Sequence, residues 1–241
     1  MSLNLIRVIR SATAKCRKKN SDIRFMIIKG FGISLHRLQH KDIELVRQKR
    51  NAPNVSMFME YREEITPEMQ EKWFQSINNE KNNYFLIEYH GEKIGLIYAA
   101  EIDWQKMITG NSGIFTWEES FRKTSVPLAA ALLLTETSFI FGFKETFIKV
   151  LKNNFNAIEF NKNLGYELLP EQEKVVNQKY VLHEKNYFEK AAKLREPFIK
   201  EYGDVLDVTI TDKNDLSSQN IIAKTALLAG ENKRRLNLIL P

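Results

Sequence analysis

The segment from Arg122 to Tyr166 constrains the fold more than any other, because five structural signals follow one another in it without a linker. The first is the basic turn Arg122-Lys123-Thr124-Ser125-Val126-Pro127, and the second is the apolar run from Leu128 to Leu134. A run that is apolar on every face predicts a buried helix. Pro127 suits a first helical position, whose amide has no partner in any case, so the helix is expected to begin near Ser125 to Pro127. It should run to about Phe141 and stop at Gly142. Its free amides carry partial positive charge, and with Arg122 and Lys123 just upstream the turn forms a candidate phosphate site. The plain alternative is an ordinary α/β segment with a basic turn. Thr146 to Leu151 then alternates as a strand, Asn153-Asn154 breaks it, and Ala157, Ile158, Phe160 and Leu164 recur at helical spacing before Gly165. Tyr166-Glu167-Leu168-Leu169 reads as the next strand.

A chain of 241 residues has room for one domain of about 150 residues with extensions, enough to bury a sizeable core. Its one cysteine, Cys16, excludes an internal disulfide framework and a multi-cysteine zinc site. A reducing, cytoplasmic compartment follows as the expectation. No apolar run approaches the roughly 20 residues of a membrane span. The net charge of +6 suits nucleic acid, an anionic membrane or a polyphosphate ligand. Nucleic acid is set aside because no basic stripe is interleaved with aromatics, and Lys233-Arg234-Arg235 reads as a solvated terminus. Residues 1 to 20 hold Arg7, Arg10, Lys15, Arg17, Lys18 and Lys19 and no acid. They read as an amphipathic anchor or transit-like peptide, or as an amino-terminal arm; the short apolar side, with no large aromatic, favours the arm.

Gly32 to Leu38 reads as a first strand, and Asp42 opens a helix through Ile43 and Val46 that Arg50-Asn51-Ala52-Pro53 halts. Met57 to Tyr61 forms a loop. Thr66-Pro67-Glu68 is a helix start, with Trp73, Phe74 and Ile77 as its apolar stripe. Tyr84 to Tyr89 and Lys93 to Tyr98 flank His90-Gly91-Glu92, a hairpin signal. Glu101, Asp103 and Trp104 follow, and a turn around Gly110 leads to the strand Ser112 to Trp117. Past Tyr166, a turn at Glu171 to Glu173 precedes the strand Val175 to Leu182. Asn186 to Glu196 reads as an amphipathic helix ended or kinked by Pro197. Val205 to Ile210 reads as an edge strand and Ser217 to Ala229 as a short helix.

The order from Arg122 onward resembles the second half of the GNAT superfamily of N-acetyltransferases, in which an Arg/Gln-x-x-Gly-x-Gly/Ala loop opens a helix, followed by a strand, Asn-x-x-Ala-Ile and a closing Gly-Phe. Asn154, Ala157, Ile158, Leu164, Gly165 and Tyr166 fall at those positions, with Tyr166 for the usual Phe. Arg122 matches the loop, while Ser125 and Pro127 stand where the superfamily has small glycine-type residues. The helix ending in Arg50-Asn51 resembles members of RimJ/RimL type and those acting on nucleotide-linked amino sugars, in which the following loop faces the acceptor.

That resemblance implies an α+β fold: a mixed, mostly antiparallel sheet of six to seven strands, with helices on both faces, splayed at strands 4 and 5. It divides the chain into a basic arm (1–30), an acetyltransferase domain (31–184) and a C-terminal helical extension (185–241). It implies acetyl-CoA as acyl donor, no metal, a small amine acceptor such as an amino sugar, and admits a homodimer. A protein amino terminus is the alternative acceptor, and a catalytically weak acyl-CoA-binding module the alternative function. Carried over by position, Ile114, Phe115 and Thr116 supply main-chain contacts to the pantetheine arm. Arg122, Lys123, Thr124, Ser125 and Val126 hold the pyrophosphate, and Asn154 bonds the cofactor arm. Asn161 stands where the superfamily has an acidic tyrosine, so it can bond the cofactor but has no proton to donate. Direct attack by an amine needs a base, for which Glu101 and Asp103 are the candidates and His36 a weaker one. Paired acids near a hairpin are otherwise simply solvated.

Overall fold

Residues 26–212 and 215–240 are described by a computed structural model of the chain; the basic residues 1–25, with Cys16, lie outside the described residues. Among the described residues one sheet holds ten strands: β1 Met26–Gly30, β2 Ile33–Arg37, β3 Asn83–Tyr89, β4 Glu92–Asp103, β5 Ile108–Thr116, β6 Glu145–Leu151, β7 Glu167–Leu168, β8 Asn177–His183, β9 Leu206–Ile210 and β10 Leu236–Ile239. Their spatial order is β10-β9-β1-β2-β3-β4-β5-β6-β8-β7. Neighbours are antiparallel except β10 beside β9 and β5 beside β6. The helices are α1 Ile43–Asn51, α2 Pro53–Ser56, α3 Pro67–Ile77, α4 Glu119–Arg122, α5 Val126–Ile140, α6 Phe155–Leu164, α7 Glu184–Lys190, α8 Ala192–Tyr202, α9 Leu216–Ala226 and α10 Gly230–Arg235. None of these is long and apolar enough to cross a membrane.

The α+β class and the mostly antiparallel sheet agree with expectation, but the sheet is wider than six or seven strands. Met26–Gly30, assigned above to the basic arm, forms a hairpin with β2 in register Gly30 to Ile33. Phe31 and Gly32 have φ of 51° and 77°, the left-handed pair that two-residue hairpin turns require. A Cβ on Gly32 would also meet the Tyr202 ring at 2.6 Å, so only glycine lets α8 close over the turn. The other added strands come from the segment expected as a helical extension: β9 pairs with β1 on one side and with β10 on the other, so it is not an edge. Gly110, expected to turn the chain, instead lies inside β5. The pairing there steps from Ala100–Asn111 to Ile102–Thr109, and the Glu101 Cβ would come within 2.9 Å of a Cβ on Gly110. Close approach, not a turn, selects that glycine.

Eleven of the fifteen residues of α5 are buried, and the helix packs across β1, β2 and β5. The main core lies between it and the sheet, taking Leu35, Phe85, Ile87, Ile97 and Leu132. A smaller core on the opposite face joins Leu86 and Leu96 to Val46 of α1 and Phe74 of α3. Adjacent residues of β3 thus enter different cores, the period-two alternation of a strand covered on both faces.

Glu136 of α5 is fully buried. Its carboxylate accepts hydrogen bonds from the Tyr187 hydroxyl at 2.9 Å and the Arg195 Nη2 at 3.0 Å, and it pairs with the Arg195 Nε and Arg235 Nη2 as well. Arg235 is therefore buried rather than part of a solvated basic terminus. The same anchor explains the helices around it. The expected helix through Asn186–Glu196 divides at the buried Ala191 so that Tyr187 and Arg195 converge on one carboxylate, and Pro197 sits inside α8 instead of ending it. Removing a buried carboxylate from the buried Arg235 and the part-buried Arg195 costs about 3–5 kcal/mol. Glu136→Leu should accordingly lower unfolding stability by that amount in urea titration, and a loss below about 1 kcal/mol would show that the carboxylate is not the anchor.

Candidate functional site

β5 and β6 run parallel through Ile108–Glu145, Thr109–Thr146 and Ser112–Ile148, and the register shifts between Thr109 and Ser112. β5 has two residues there, Gly110 and Asn111, against one on β6, Phe147, and such an extra residue bends the strand that carries it. The Ser112 and Thr146 hydroxyls bond each other at 2.9 Å where the pair ends. Beyond that point Gly113 to Thr116 stay with β4, from Tyr98–Gly113 to Gly95–Thr116. Lys149 to Leu151 stay with β8. The facing backbone edges of the two strands thus have no sheet partner across the gap.

The gap opens into a cavity of about 890 Å³ bounded by α1, α3, β3 to β6, α6 and the loop 57–65. That is within the range of about 300–1,000 Å³ usual for ligand pockets. A smaller space of about 50 Å³ lies under the same parting, against α5 and α6, and shares Ser112 to Ile114, Phe160 and Asn161 with the large one. The loop is pinned by Asn51, which accepts from the Ile65 amide and donates to the Ile65 carbonyl, each at 2.9 Å. This places Phe58, Met59, Glu60 and Tyr61 at the cavity. Glu60 accepts from the Asn177 Nδ2 at 2.8 Å, joining the loop to β8 across the mouth.

Of the residues singled out from the sequence, Ile114, Phe115, Asn154 and Asn161 line the cavity. Asn154 caps α6, accepting from the Ala157 amide at 3.2 Å, and Asn161 donates to the Ala157 carbonyl at 2.7 Å. Thr116 is buried against Gly95 and does not line it. Neither does the turn from Arg122 to Val126. The Arg122 guanidinium donates to the carbonyls of Thr116 and Asn54, at 3.2 and 2.8 Å, and lies over the Phe58 ring. The Val126 amide donates to the Thr124 hydroxyl at 3.3 Å. Lys123, Thr124 and Ser125 are exposed at the start of α5.

Glu101 and Asp103 also lie outside the cavity lining. Asp103 closes the β4–β5 turn by accepting from the amides of Gln105 and Lys106, at 3.0 and 2.9 Å. The Lys106 amide above all holds its carboxyl below the usual carboxylate range, which weakens it as a base. His36 on β2 bonds the Ser34 hydroxyl at 2.9 Å, away from the cavity, and burial pushes its imidazole down.

Sequence reasoning missed the aromatic side of the site. Tyr84 and Tyr98 stack with centroids 4.8 Å apart, and Trp73 meets Tyr84 edge-on at 5.3 Å. All three line the cavity. A Cβ on Gly113 would come within 2.6 Å of the Tyr98 hydroxyl, so this glycine makes the bed for the ring. Burial first, opposed by the Arg50 charge, holds the Tyr98 phenol above its ordinary value. Tyr84 and Tyr98 were visible as strand residues, but their pairing depends on the β3–β4 register, Tyr84 opposite Tyr98.

Residues 35–183 match the model of a family described as an acetyltransferase (GNAT) domain. The chain belongs to the GNAT acetyltransferase family. The match spans β2 through β8 and leaves β1, β9 and β10 outside it. Among solved structures, the spermidine N-acetyltransferase of Vibrio cholerae, in complex with CoA and spermine, is 15% identical with a TM-score of 0.56, covering 65% of this chain and 98% of that one. FdhC, a nucleotide-linked sugar GNAT, is 19% identical with a TM-score of 0.56 over 72% of this chain and 97% of that one. RimL, the ribosomal L7/L12 alpha-N-protein acetyltransferase, is 14% identical with the same score over 68% and 97%. Comparison with curated proteins yields no match.

Within this GNAT domain the double position of Asn154, at a helix cap and on the cavity wall, gives a separable expectation. Asn154→Ala should lower stability by about 1 kcal/mol through the lost cap, whereas Asn154→Asp should stay within about 0.5 kcal/mol because aspartate caps as well. Urea unfolding of the two variants checks this, and equal losses would mean that the cap contributes nothing.

Proposed function

We propose that this GNAT protein transfers an acetyl group from acetyl-CoA to a primary amine of a small acceptor, by direct attack in a ternary complex. The observation that supports this reading is the parting of β5 from β6 at Ser112 and Ile148, opening onto the large cavity. Backbone N–H and C=O groups along Gly113 to Phe115 and Lys149 to Leu151 need partners, and an extended arm carrying amides can lie between them as a substitute strand. Acetyl-CoA, when bound, supplies a thioester whose carbonyl carbon takes the amine nitrogen while the thiolate leaves. The exposed Lys123 and the N-terminal end of α5 are left for its phosphates, since Arg122 is committed to backbone carbonyls.

An acceptor must lose a proton before or as it attacks. Among the described residues lining the cavity Glu60 is the sole carboxylate, so it is the side chain that can take that proton, directly or through one water. Glu101 and Asp103 take no part in this reading, because neither borders the cavity. Asn161, engaged with its own helix, leaves the thiolate to be protonated by water. The aromatic group of Trp73, Tyr84 and Tyr98 suits a ring-bearing acceptor, which supports an amino sugar or nucleotide-linked amino sugar over a linear polyamine.

Acetyl-CoA should raise the melting temperature, by an amount equivalent to about 2.7 kcal/mol at 100 times Kd, and a screen of amines read by free-thiol release should give turnover. Glu60→Gln should lower kcat roughly 100-fold, the low end for general acid–base catalysis, with acetyl-CoA affinity kept. Absence of any thermal shift with acetyl-CoA would overturn the donor assignment. An unchanged kcat in Glu60→Gln would remove only the base.

A further inference from the structure

Two donors on the α1–α3 side of the cavity are left over by the fold and by the chemistry described so far. Arg50, on the last turn of α1, lines the cavity, and among the described residues it has no carboxylate partner. Its guanidinium lies 5.9 Å from the centre of the Phe115 ring, and burial lowers its proton affinity from the ordinary arginine value. A guanidinium seated on a ring is held by one face and keeps its N–H edge free for a planar or tetrahedral anion. Gln70 of α3 lines the same cavity, is 3% exposed, and its Nε2 has no hydrogen-bond partner among the described residues. Buried donors are bonded almost without exception, so an orphaned one on a cavity wall marks a place where a ligand atom belongs.

We propose that Arg50 and Gln70 form an anion subsite that holds a carboxylate or phosphate oxygen carried by the acceptor, so the acceptor is an acidic amine. This rests on the acetyl-transfer reading above for its chemistry but not for its binding. The charge of the cavity agrees: Arg50 and Lys149 stand on its wall against the single carboxylate Glu60, which is already bonded to Asn177. A polyamine would bring two or more ammonium groups to a wall with one acid and the part-buried cation Arg50. An acidic amine places its anion at Arg50 and Gln70, and Tyr98 and Ser112 to Ile114, on the same cavity wall, are left for the remainder of the molecule.

The test uses matched pairs of amines that differ in one charged group: glucosamine 6-phosphate against glucosamine for the phosphate arm, and glutamate against glutamine for the carboxylate arm, with spermidine as the cationic control. Isothermal titration without acetyl-CoA reads the subsite whether or not turnover occurs. The wild type should bind at least one acidic member tenfold or more tightly than its neutral partner, and spermidine least. Arg50→Met should remove that preference. Arg50→Lys should keep only part of it, because a point charge cannot replace the fork, and Gln70→Leu should weaken the acidic member several-fold while sparing the neutral one. Where turnover occurs, these losses should appear in KM and leave the Kd for acetyl-CoA unchanged. If neither acid is preferred by the wild type, or if Arg50→Met keeps the preference with its fold intact by circular dichroism, the subsite is refuted. If acetyl-CoA fails to bind while the preference holds, the transferase reading falls and the anion subsite stands.

Discussion

Two parallel strands that stop sharing hydrogen bonds part-way along their length leave a row of amides and carbonyls that nothing in the sheet can satisfy. The rest of this molecule is arranged to hold β5 and β6 in that condition. Each is fixed from its outer side: β5 by β4 over nearly its whole length, and β6 by β8 in unbroken register from Glu145–His183 to Leu151–Asn177. Inside the gap, the extra residue between Thr109 and Ser112 turns β5 away, and the Ser112–Thr146 hydroxyl pair closes the narrow end. The strands cannot drift back together without breaking a ladder on the far side, and the slot persists because the sheet around it is wide.

That width depends on a segment outside the family match. β9 and β10 extend the sheet past β1, and their return is anchored at Glu136, the point where Tyr187, Arg195 and Arg235 meet on the central helix. The Phe188 ring lies under both guanidinium groups. Three elements beyond β8 are therefore tied to one carboxylate on α5, the helix that packs across β1, β2 and β5. A buried ion cluster of this kind contributes little net stability over an apolar equivalent, but it penalises every arrangement that leaves a charge alone. Its use here is to specify where the C-terminal segment docks.

What the sequence made legible follows the range of the signals. Local ones carried well: the apolar run of α5 with Gly142 past its end, the Asn154 cap, the Gly165 stop and the Thr66 cap of α3 all depend on residues within four of one another. Signals needing a distant partner did not. Lys233-Arg234-Arg235 looks like a solvated terminus until Glu136, 99 residues away, is seen beside Arg235. Gly110 looks like a turn until Glu101 is found over it. Glu101 and Asp103 read as acids near strand ends, yet strands end on both sides of a sheet, and the turn at Asp103 is at the opposite end of β5 from the parting. Arg122 shows the same limit, since a basic residue before a helix reads as an anion ligand and only the fold shows its guanidinium occupied by carbonyls.

The two faces of the parting are chemically unlike, and that difference bears on how one slot can serve two reactants. Towards α5 the space is small, and Ala131, Leu134 and Leu164 share its lining with Thr135, Ser138 and Thr146. Towards α1 and α3 it is large and carries Arg50, Gln70 and the tyrosine pair. A confined space strengthens a hydrogen bond made at the strand edge by lowering the local dielectric, while the polar groups of the large side fix orientation. Ser112, Gly113 and Ile114 border both spaces, as do Tyr98, Ile148, Phe160 and Asn161, so a group held at that strand edge touches both. The glycine at 113 matters doubly here: a Cβ would displace the Tyr98 hydroxyl and crowd the border that the two spaces share.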